Sequence, residues 1–296
     1  MKKPTVIVAG GGGLVGGEIL RLLQKRGFPA QEVQTLSART TQGAPNFQGV
    51  DLAFLAVPEE IAQEWAPRAV QSGATVIDCS GAWRMEEKVP LQIPGMTQAT
   101  DSPDATILAS PNCTNIGLCA VLDALSKNIK WRDCVITSFQ SLSGEGRSGL
   151  EKLNTTSADV SPLCDILQED GHTLEESRVM QETRKILALP NLPISVTCTR
   201  VPLAQGHAIS LLLESKPQLS VKKATELLRS SSLLCVLEKD NPPTPAQSVG
   251  ESVAQVGRIR HDEQGRLWLW VCFDNLGFAG ALNAVKIAEE WMARQP

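Results

Sequence analysis

Three glycines, Gly10, Gly13 and Gly16, stand between an apolar, β-branched run, TVIVAG (5–10), and a segment with helical periodicity, GEILRLLQKRG (17–27), whose apolar residues fall at 19, 20, 22 and 23. Glycine at such a strand-to-helix junction lets the turn tighten and lets backbone N–H groups approach a pyrophosphate at the helix N-terminus. A tight βα turn with no ligand would use glycine too. The strand before and the helix after favour a dinucleotide site, with Gly10, Gly13, Leu14, Val15 and Gly16 as its expected contacts. The spacing differs from the usual GxGxxG and points to a variant nucleotide-binding subclass.

The rest of the first hundred residues continues the alternation. EVQTLSA (32–38), DLAFLAV (51–57), ATVIDCS (74–80) and ATILAS (105–110) read as strands. EEIAQEWAPRAVQSG (59–73) and TNIGLCAVLDALSK (114–127) read as helices. Continuous apolar strands alternating with amphipathic helices imply an α/β, Rossmann-like parallel sheet covered on both faces. From about residue 130 the strands, CVITSFQSLSG (134–144), PISVTCTRVP (193–202), AISLLLES (208–215) and GRLWLWVCFD (265–274), lie farther apart. Helical patterns at 174–187 and 220–232 fall between them. This is the pattern of a second, α+β domain on a mixed sheet. The expected division is 1–128 and 129–274, with the helical 275–296 returning to the first domain. DNPPTPAQSVGE (240–251) reads as a loop.

Composition removes several function classes. A net charge of −4 gives no global attraction to nucleic acid or anionic membrane. The N-terminal apolar run passes into glycines too soon for a signal peptide, and no stretch approaches the length of a membrane span. A cytoplasmic protein is expected. The eight cysteines show no CxxC pair, which suits reduced, mostly buried thiols and no metal site.

Chemistry-bearing residues stand out against this background. The end of the second strand, where an acidic residue would select NAD, instead carries Ser37-Ala38-Arg39-Thr40-Thr41, suited to a 2′-phosphate and hence NADP. In SPNCTNIG (110–117), Cys113 lies between a strand end and a helix start, where the helix N-terminus favours thiolate. Asn112 beside it can donate to an oxyanion or phosphate. A cysteine there can equally be buried filler, and the motif alone leaves both readings open. RVPLAQGHAISLLLE (200–214) sets Arg200, able to hold a carboxylate by two prongs, near His207, able to exchange protons near neutral pH. SFQSLSGEGRSG (138–149) is a glycine-rich strand exit carrying Gln140.

Taken in order, these segments resemble the aspartate-semialdehyde dehydrogenase family along nearly the whole chain. The glycine loop, the Ser37-Ala38-Arg39 turn, SPNCTNIG, RVPLAQGHA and DNLGFAGALNAVKIAEE (274–290) carry the likeness. The resemblance implies a catalytic and dimerisation role for the second domain and a homodimer. It implies Cys113 as nucleophile, His207 as acid/base and Gln140 as orienter of the acyl group. It also implies Arg200 and Glu176 as contacts to the substrate's carboxylate and amine, with Arg84, Asn112 and Arg178 around phosphate. Ser37, Arg39, Thr40, Ser143, Gly144 and Asn275 would touch NADP. The implied reaction converts L-aspartate 4-semialdehyde, phosphate and NADP⁺ to 4-aspartyl phosphate and NADPH, with reduction the direction that serves lysine, methionine and threonine biosynthesis.

The chain departs from the family at several places. Pro94-Gly95-Met96-Thr97 stands where the family has Pro-Glu-Val-Asn, Arg178 replaces a lysine, and Phe278 replaces a basic residue. The regions after Arg39 and between Leu150 and His172 are shorter. Two alternatives stand: a relative of N-acetyl-glutamyl-phosphate reductase, which shares the logic of cysteine, histidine and NADP, and a catalytically silent NADP-binding paralogue, which the shortened second domain and Gly95 motivate.

Overall fold

The computed structural model describes residues 3–37, 45–96, 104–126, 129–154 and 159–295. The chain divides into two compact units: Met1–Pro94 with Ala99–Asn112 and Gly280–Pro296, and Gly95–Gln98 with Cys113–Ala279.

The first unit is the parallel α/β layer. Strands β1 (Thr5–Ala9), β2 (Glu32–Leu36), β3 (Leu52–Leu55), β4 (Thr75–Asp78) and β5 (Ile107–Ala109) pair in the order β2-β1-β3-β4-β5. Every pairing is parallel. Val6 to Ala9 and Leu52 to Leu55 are almost completely buried, which is why these strands read as unbroken apolar runs. β2 lies at the sheet edge and exposes most of its residues, so its sequence is mixed. Helix α1 (Leu14–Lys25) buries Gly16, Ile19, Leu22 and Leu23, and α2 (Glu59–Gln71) buries Ala62, Trp65, Ala66 and Ala69. The strand order reverses between β1 and β3, so the carboxyl end of β1, where the glycine loop begins, is a topological switch point.

Helix α3 (Cys113–Leu125), expected with the first domain, belongs to the second unit. It is buried along nearly its whole length and packs on helices α5 (Leu174–Ile186) and α6 (Val221–Arg229) and on strand β11 (Leu267–Phe273). The remaining strands are β6 (Lys130–Gln140), β7 (Ile194–Arg200), β8 (His207–Lys216), β9 (Leu234–Val236) and β10 (Ala254–His261), giving a mixed sheet ordered β7-β6-β8-β11-β10-β9. The sequence reading omitted β9 and β10. β9 is three residues long, and β10 is broken by a bulge between Gly257 and Arg260, with Arg258 at φ +51°, which hides its alternation. Short helices α4 (Arg147–Glu151) and α7 (Pro245–Ser248) fill loops, the latter inside the proline-rich segment. A π-type turn over Asn275–Leu282 leads into α8 (Asn283–Ala293), which packs on α1 and β4 in the first unit. Among the described residues no helix is long and apolar enough to cross a membrane.

Two family departures acquire local reasons. Gly95 sits at φ +96°, a backbone state a glutamate side chain would strain, and Phe278 fills a buried place in the π-type turn.

Candidate active site

In the first unit the glycine loop has the shape a dinucleotide needs. Gly10 holds φ +82°, and a Cβ there would sit 2.0 Å from the Ala56 carbonyl oxygen. A Cβ on Gly16 would meet the Gly10 oxygen at 2.2 Å. Only glycine permits this turn, which ends at Gly13, the N-cap of α1, a residue with no side chain of its own to take the first helical amides. Leu14 and Val15 form the first turn of α1. Arg39 and Thr40 lie outside the described residues; Ser37 is the last described residue before them. Arg84 is buried, donating through Nε to the Ser110 carbonyl (3.0 Å) and through Nη2 to that of Cys79 (3.1 Å). Those two N–H groups brace the loops after β4 and β5. Asn112 is buried and precedes Cys113.

In the second unit Cys113 is the first residue of α3 and is half-buried. Asn115 fixes that first turn: its Nδ2 donates to the Val179 carbonyl and to Thr183 Oγ1, both at 2.9 Å, tying α3 to α5. Gly117 admits the Phe273 ring, whose nearest carbon would lie 2.5 Å from an added Cβ. The Cys113 Sγ lies 3.6 Å from Nε2 of His207. His207 opens β8, only 1% exposed, with its ring edge-on to Phe273. Gly206 before it takes φ +92°, and a Cβ there would strike the Pro245 carbonyl at 2.3 Å. Nδ1 of His207 accepts from the Ser141 backbone N–H (3.2 Å) and contacts Ser141 Oγ (3.1 Å). Burial, reinforced by the Arg200 cation and opposed by a backbone contact with Gly206, pushes the imidazole down to about 3. The ring is therefore neutral throughout the physiological range.

Asn275, expected against the cofactor, ties this cluster together. Its Oδ1 accepts from Gly206 N (2.9 Å), Ser141 Oγ and Ser143 Oγ, while its Nδ2 donates to Ser143 Oγ (3.0 Å). Ser143 is thus held by Asn275. Gly144 lies against Arg200 and His207, where a Cβ would come 2.7 Å from the guanidinium.

Arg200 ends β7. Its Nη1 donates to the Ser141 carbonyl (2.9 Å), and its Nε faces Glu145 Oε1 at 3.1 Å. The other Glu145 oxygen pairs with Lys152 Nζ (2.6 Å). A carboxylate from the chain itself therefore lies on the guanidinium expected to take the substrate's.

The acidic residues require a correction. Glu176 is turned inward as the third residue of α5: its Oε2 accepts from Thr173 N (2.7 Å), Thr173 Oγ1 accepts from Glu176 N, and its Oε1 accepts from Cys198 N (2.9 Å). It is a helix cap. The carboxylate in the cluster is that of Glu175, whose Oε1 accepts from Gln140 Nε2 (2.9 Å) and from Thr114 Oγ1 (3.5 Å). The Thr173-x-x-Glu176 spacing is a capping-box signature legible in the sequence; it turns Glu176 to the helix's own backbone and leaves Glu175 as the carboxylate beside Gln140. Gln140 also accepts from the Cys164 thiol (3.4 Å), a buried cysteine that burial pushes up to about 12. Arg178 pairs with Asp165 Oδ2 at 2.9 Å. Sequence reading also missed Ser141, Glu145, Asn115 and Asp274. The Asp274 carboxylate accepts from Gln205, Gly250, Leu276 and Gly277 and so orders the loops beside Asn275. Among the described residues no cluster of His, Cys, Asp and Glu could hold a metal ion.

A half-buried cysteine at a helix start, a buried neutral histidine against its sulfur and a nucleotide-type glycine loop together describe an oxidoreductase. Comparison with known proteins agrees. Residues 41–101 match the NAD binding domain of semialdehyde dehydrogenases, and residues 122–278 match their dimerisation domain. The aspartate-semialdehyde dehydrogenase of Aquifex aeolicus is 31% identical, covering 96% of both chains. That of Prochlorococcus marinus is 32% identical, covering 98% of this chain and 96% of its own. These alignments run over 330 positions, more than the length of this chain, so the relatives carry residues without a counterpart here. The crystal structure of aspartate semialdehyde dehydrogenase II complexed with ASA from Vibrio cholerae superposes with a TM-score of 0.92 at 25% identity, covering both chains fully. The chain belongs to the aspartate-semialdehyde dehydrogenase family.

Proposed function

We propose that the protein interconverts L-aspartate 4-semialdehyde and 4-aspartyl phosphate through a thioester on Cys113, with NADP as the redox partner. The observation that carries this reading is the Cys113 sulfur 3.6 Å from Nε2 of a buried, neutral His207. A sulfur so placed adds to an aldehyde carbon, and a thioester retains the energy of oxidation until phosphate attacks it. Bound NADP⁺ supplies the hydride acceptor. Gly10, Gly13 and Gly16 with the N-terminal amides of α1 would hold its pyrophosphate, and Arg39, Thr40 and Ser37 its 2′-phosphate. Arg200 receives the substrate's α-carboxylate after Glu145 swings aside onto Lys152, and Glu175, in the role first expected of Glu176, faces the α-ammonium. Gln140, fixed by Glu175, orients the acyl oxygen. Arg84, Asn112 and Arg178 are the residues the family resemblance assigns to phosphate; Arg84 commits two of its five N–H groups to carbonyls, and Arg178 pairs with Asp165.

We also assign a homodimer. One face of the mixed sheet carries Val135, Phe139, Leu212, Trp268 and Trp270 only half-buried, and Leu163, Ile166 and Leu167 are exposed nearby in the sequence of the same unit. An apolar surface of this kind suits a second copy of the chain. The free thiols, including the nucleophile, suit a reducing cytoplasm.

The test is a phosphate-dependent assay of NADPH formation with aspartate semialdehyde, run beside N-acetylglutamate semialdehyde. Turnover of the first aldehyde supports the reading. Preference for the second favours the reductase alternative, and no turnover of either identifies a silent paralogue. NADP should be preferred to NAD, and Arg39→Ala should raise the KM for NADP about ten- to hundredfold, the worth of one charge-assisted contact. Equal use of both cofactors by the wild type would reject that assignment.

A further inference from the structure

We infer that Asp274 is a positioning residue: its carboxylate ties the proline-rich segment 240–251 and the turn before His207 to the turn that carries Asn275, and so sets where the His207 ring and the Asn275 amide stand. The inference rests on the thioester reading above and names what holds two of its residues in place.

Asp274 follows β11 directly and is 2% exposed. Its carboxylate accepts from four N–H groups on three segments. Oδ1 takes Gln205 Nε2 (2.7 Å), Leu276 N (3.0 Å) and Gly277 N (2.9 Å), and Oδ2 takes Gly250 N (2.8 Å). The bonds from Leu276 and Gly277 make Asp274 the cap of the turn over Asn275–Leu282, whose first amides no preceding turn supplies with acceptors. Gly277 is part of that fit, since a Cβ there would lie 2.6 Å from Oδ2. A cap needs only those two bonds. The bonds to Gln205 and Gly250 reach beyond the turn, and both lead toward His207.

Gln205 precedes Gly206, and Gly206 precedes His207. The Gly206 N–H donates to Asn275 Oδ1, and a Cβ on Gly206 would strike the Pro245 carbonyl. The residue before His207 is therefore held through its neighbour's side chain on Asp274, through its own amide on Asn275, and by the backbone of Pro245 against it. Pro245 belongs to the segment that reads from sequence as a loop, yet that segment is anchored at both ends. The Pro243 carbonyl accepts from Trp270 Nε1 (3.0 Å) and from the Cys272 thiol (3.5 Å), and a Cβ on Gly257 would lie 2.5 Å from Pro243 Cδ. Thr244 caps α7, and Gly250 N ends on Asp274. One carboxylate thus holds both the turn and the strut behind it, and its loss would free the turn on two sides. Asp274 spends its bonds on the chain's own N–H groups, so its removal should leave the substrate's charges with Arg200 and Glu175 and disturb the alignment of His207. A misplacement of about 1 Å in such a group costs on the order of a hundredfold in rate.

Amide hydrogen exchange of the full chain tests the tie without turnover. Asp274→Ala should raise exchange in both 203–207 and 248–251 by about tenfold or more, with β6 unchanged. Loosening confined to 275–279 would make Asp274 a cap and nothing more, which overturns the inference. Asp274→Asn keeps one acceptor oxygen, enough for Gln205, Leu276 and Gly277, and sets its NH₂ against the Gly250 N–H; it should release 248–251 while 203–207 stays protected. In the aldehyde assay Asp274→Ala should lower kcat about ten- to hundredfold with the KM for the aldehyde within about threefold of wild type, and Asp274→Asn should recover most of that loss. Gln205→Ala should lower kcat as well and add nothing to Asp274→Ala, because both remove the same tie. Losses that multiply in the double variant, or a wild-type kcat in the folded fraction of Asp274→Ala, reject the positioning role. If Asp274→Ala does not fold, Gln205→Ala carries the test: faster exchange at 203–207 with a lowered kcat supports the tie, and a wild-type value of either overturns it. A wild type that fails the aldehyde assay while the exchange pattern holds would reject the proposed substrate and leave the tie standing.

Discussion

Cys113, half-buried at the start of α3, differs from the six thiols that burial holds protonated and from Cys235, which is exposed outside the site. Burial pushes Cys79, Cys134, Cys164 and Cys272 up to about 12, and Cys119 and Cys198 are raised further, so six cysteines are held as inert thiols. Cys113→Ser should therefore lower kcat at least a thousandfold with little change in melting temperature, because a serine hydroxyl cannot ionise beside a neutral imidazole. Activity within tenfold of wild type would reject the thioester. Serine at the other buried positions should cost stability and spare kcat. Glu145 offers a second prediction. It occupies the guanidinium that the substrate carboxylate needs, so Glu145→Ala should lower the KM for the aldehyde several-fold, while Arg200→Ala raises KM and lowers kcat. A KM that rises in Glu145→Ala would make Glu145 a substrate contact instead of an occupant.

At the scale of elements, the site depends on where α3 begins and how closely it lies on β11. Gly117 is the point of closest approach, with Phe273 in the space a Cβ would take, and Phe273 also meets the His207 ring. Gly117→Ala must push the strand and helix apart. It should destabilise by about 1–3 kcal/mol, and it should also slow turnover, because the Cys113-to-His207 distance opens with it. Thermal denaturation beside kcat distinguishes this from simple loss of folded protein. Normal kinetics in the folded fraction would show that the α3–β11 spacing does not control the pair.

For the molecule as a whole, a buried neutral histidine links stability to pH. The folded value for His207, about 3, lies below the ordinary 6.5, so the unfolded chain binds the proton more readily. Its contribution is complete above about pH 6.5 and is lost as pH falls from there toward 3, at roughly 1.4 kcal/mol per pH unit. His207→Gln should flatten that acid limb in a plot of melting temperature against pH. An unchanged limb would assign the acid sensitivity to other groups.

What the sequence determined by itself was local. The parallel-strand runs, the helical phases and the glycine loop follow from periodicity and backbone sterics within a few neighbours. The order of motifs was enough to bring Cys113, Gln140, Arg200, His207 and Asn275 into view. Tertiary structure decided what depends on residues far apart in the chain. α3 joined the second unit because its apolar surface, buried nearly all round, found partners in α5, α6 and β11. Glu175 faces Gln140 because the Thr173 cap turns Glu176 inward toward β7. His207 Nδ1 meets the backbone N–H of Ser141, 66 residues away in the chain, because β6 and β8 pair side by side. Side-chain identity announces which atoms can ionise or donate, and only the fold decides which partner each of them meets.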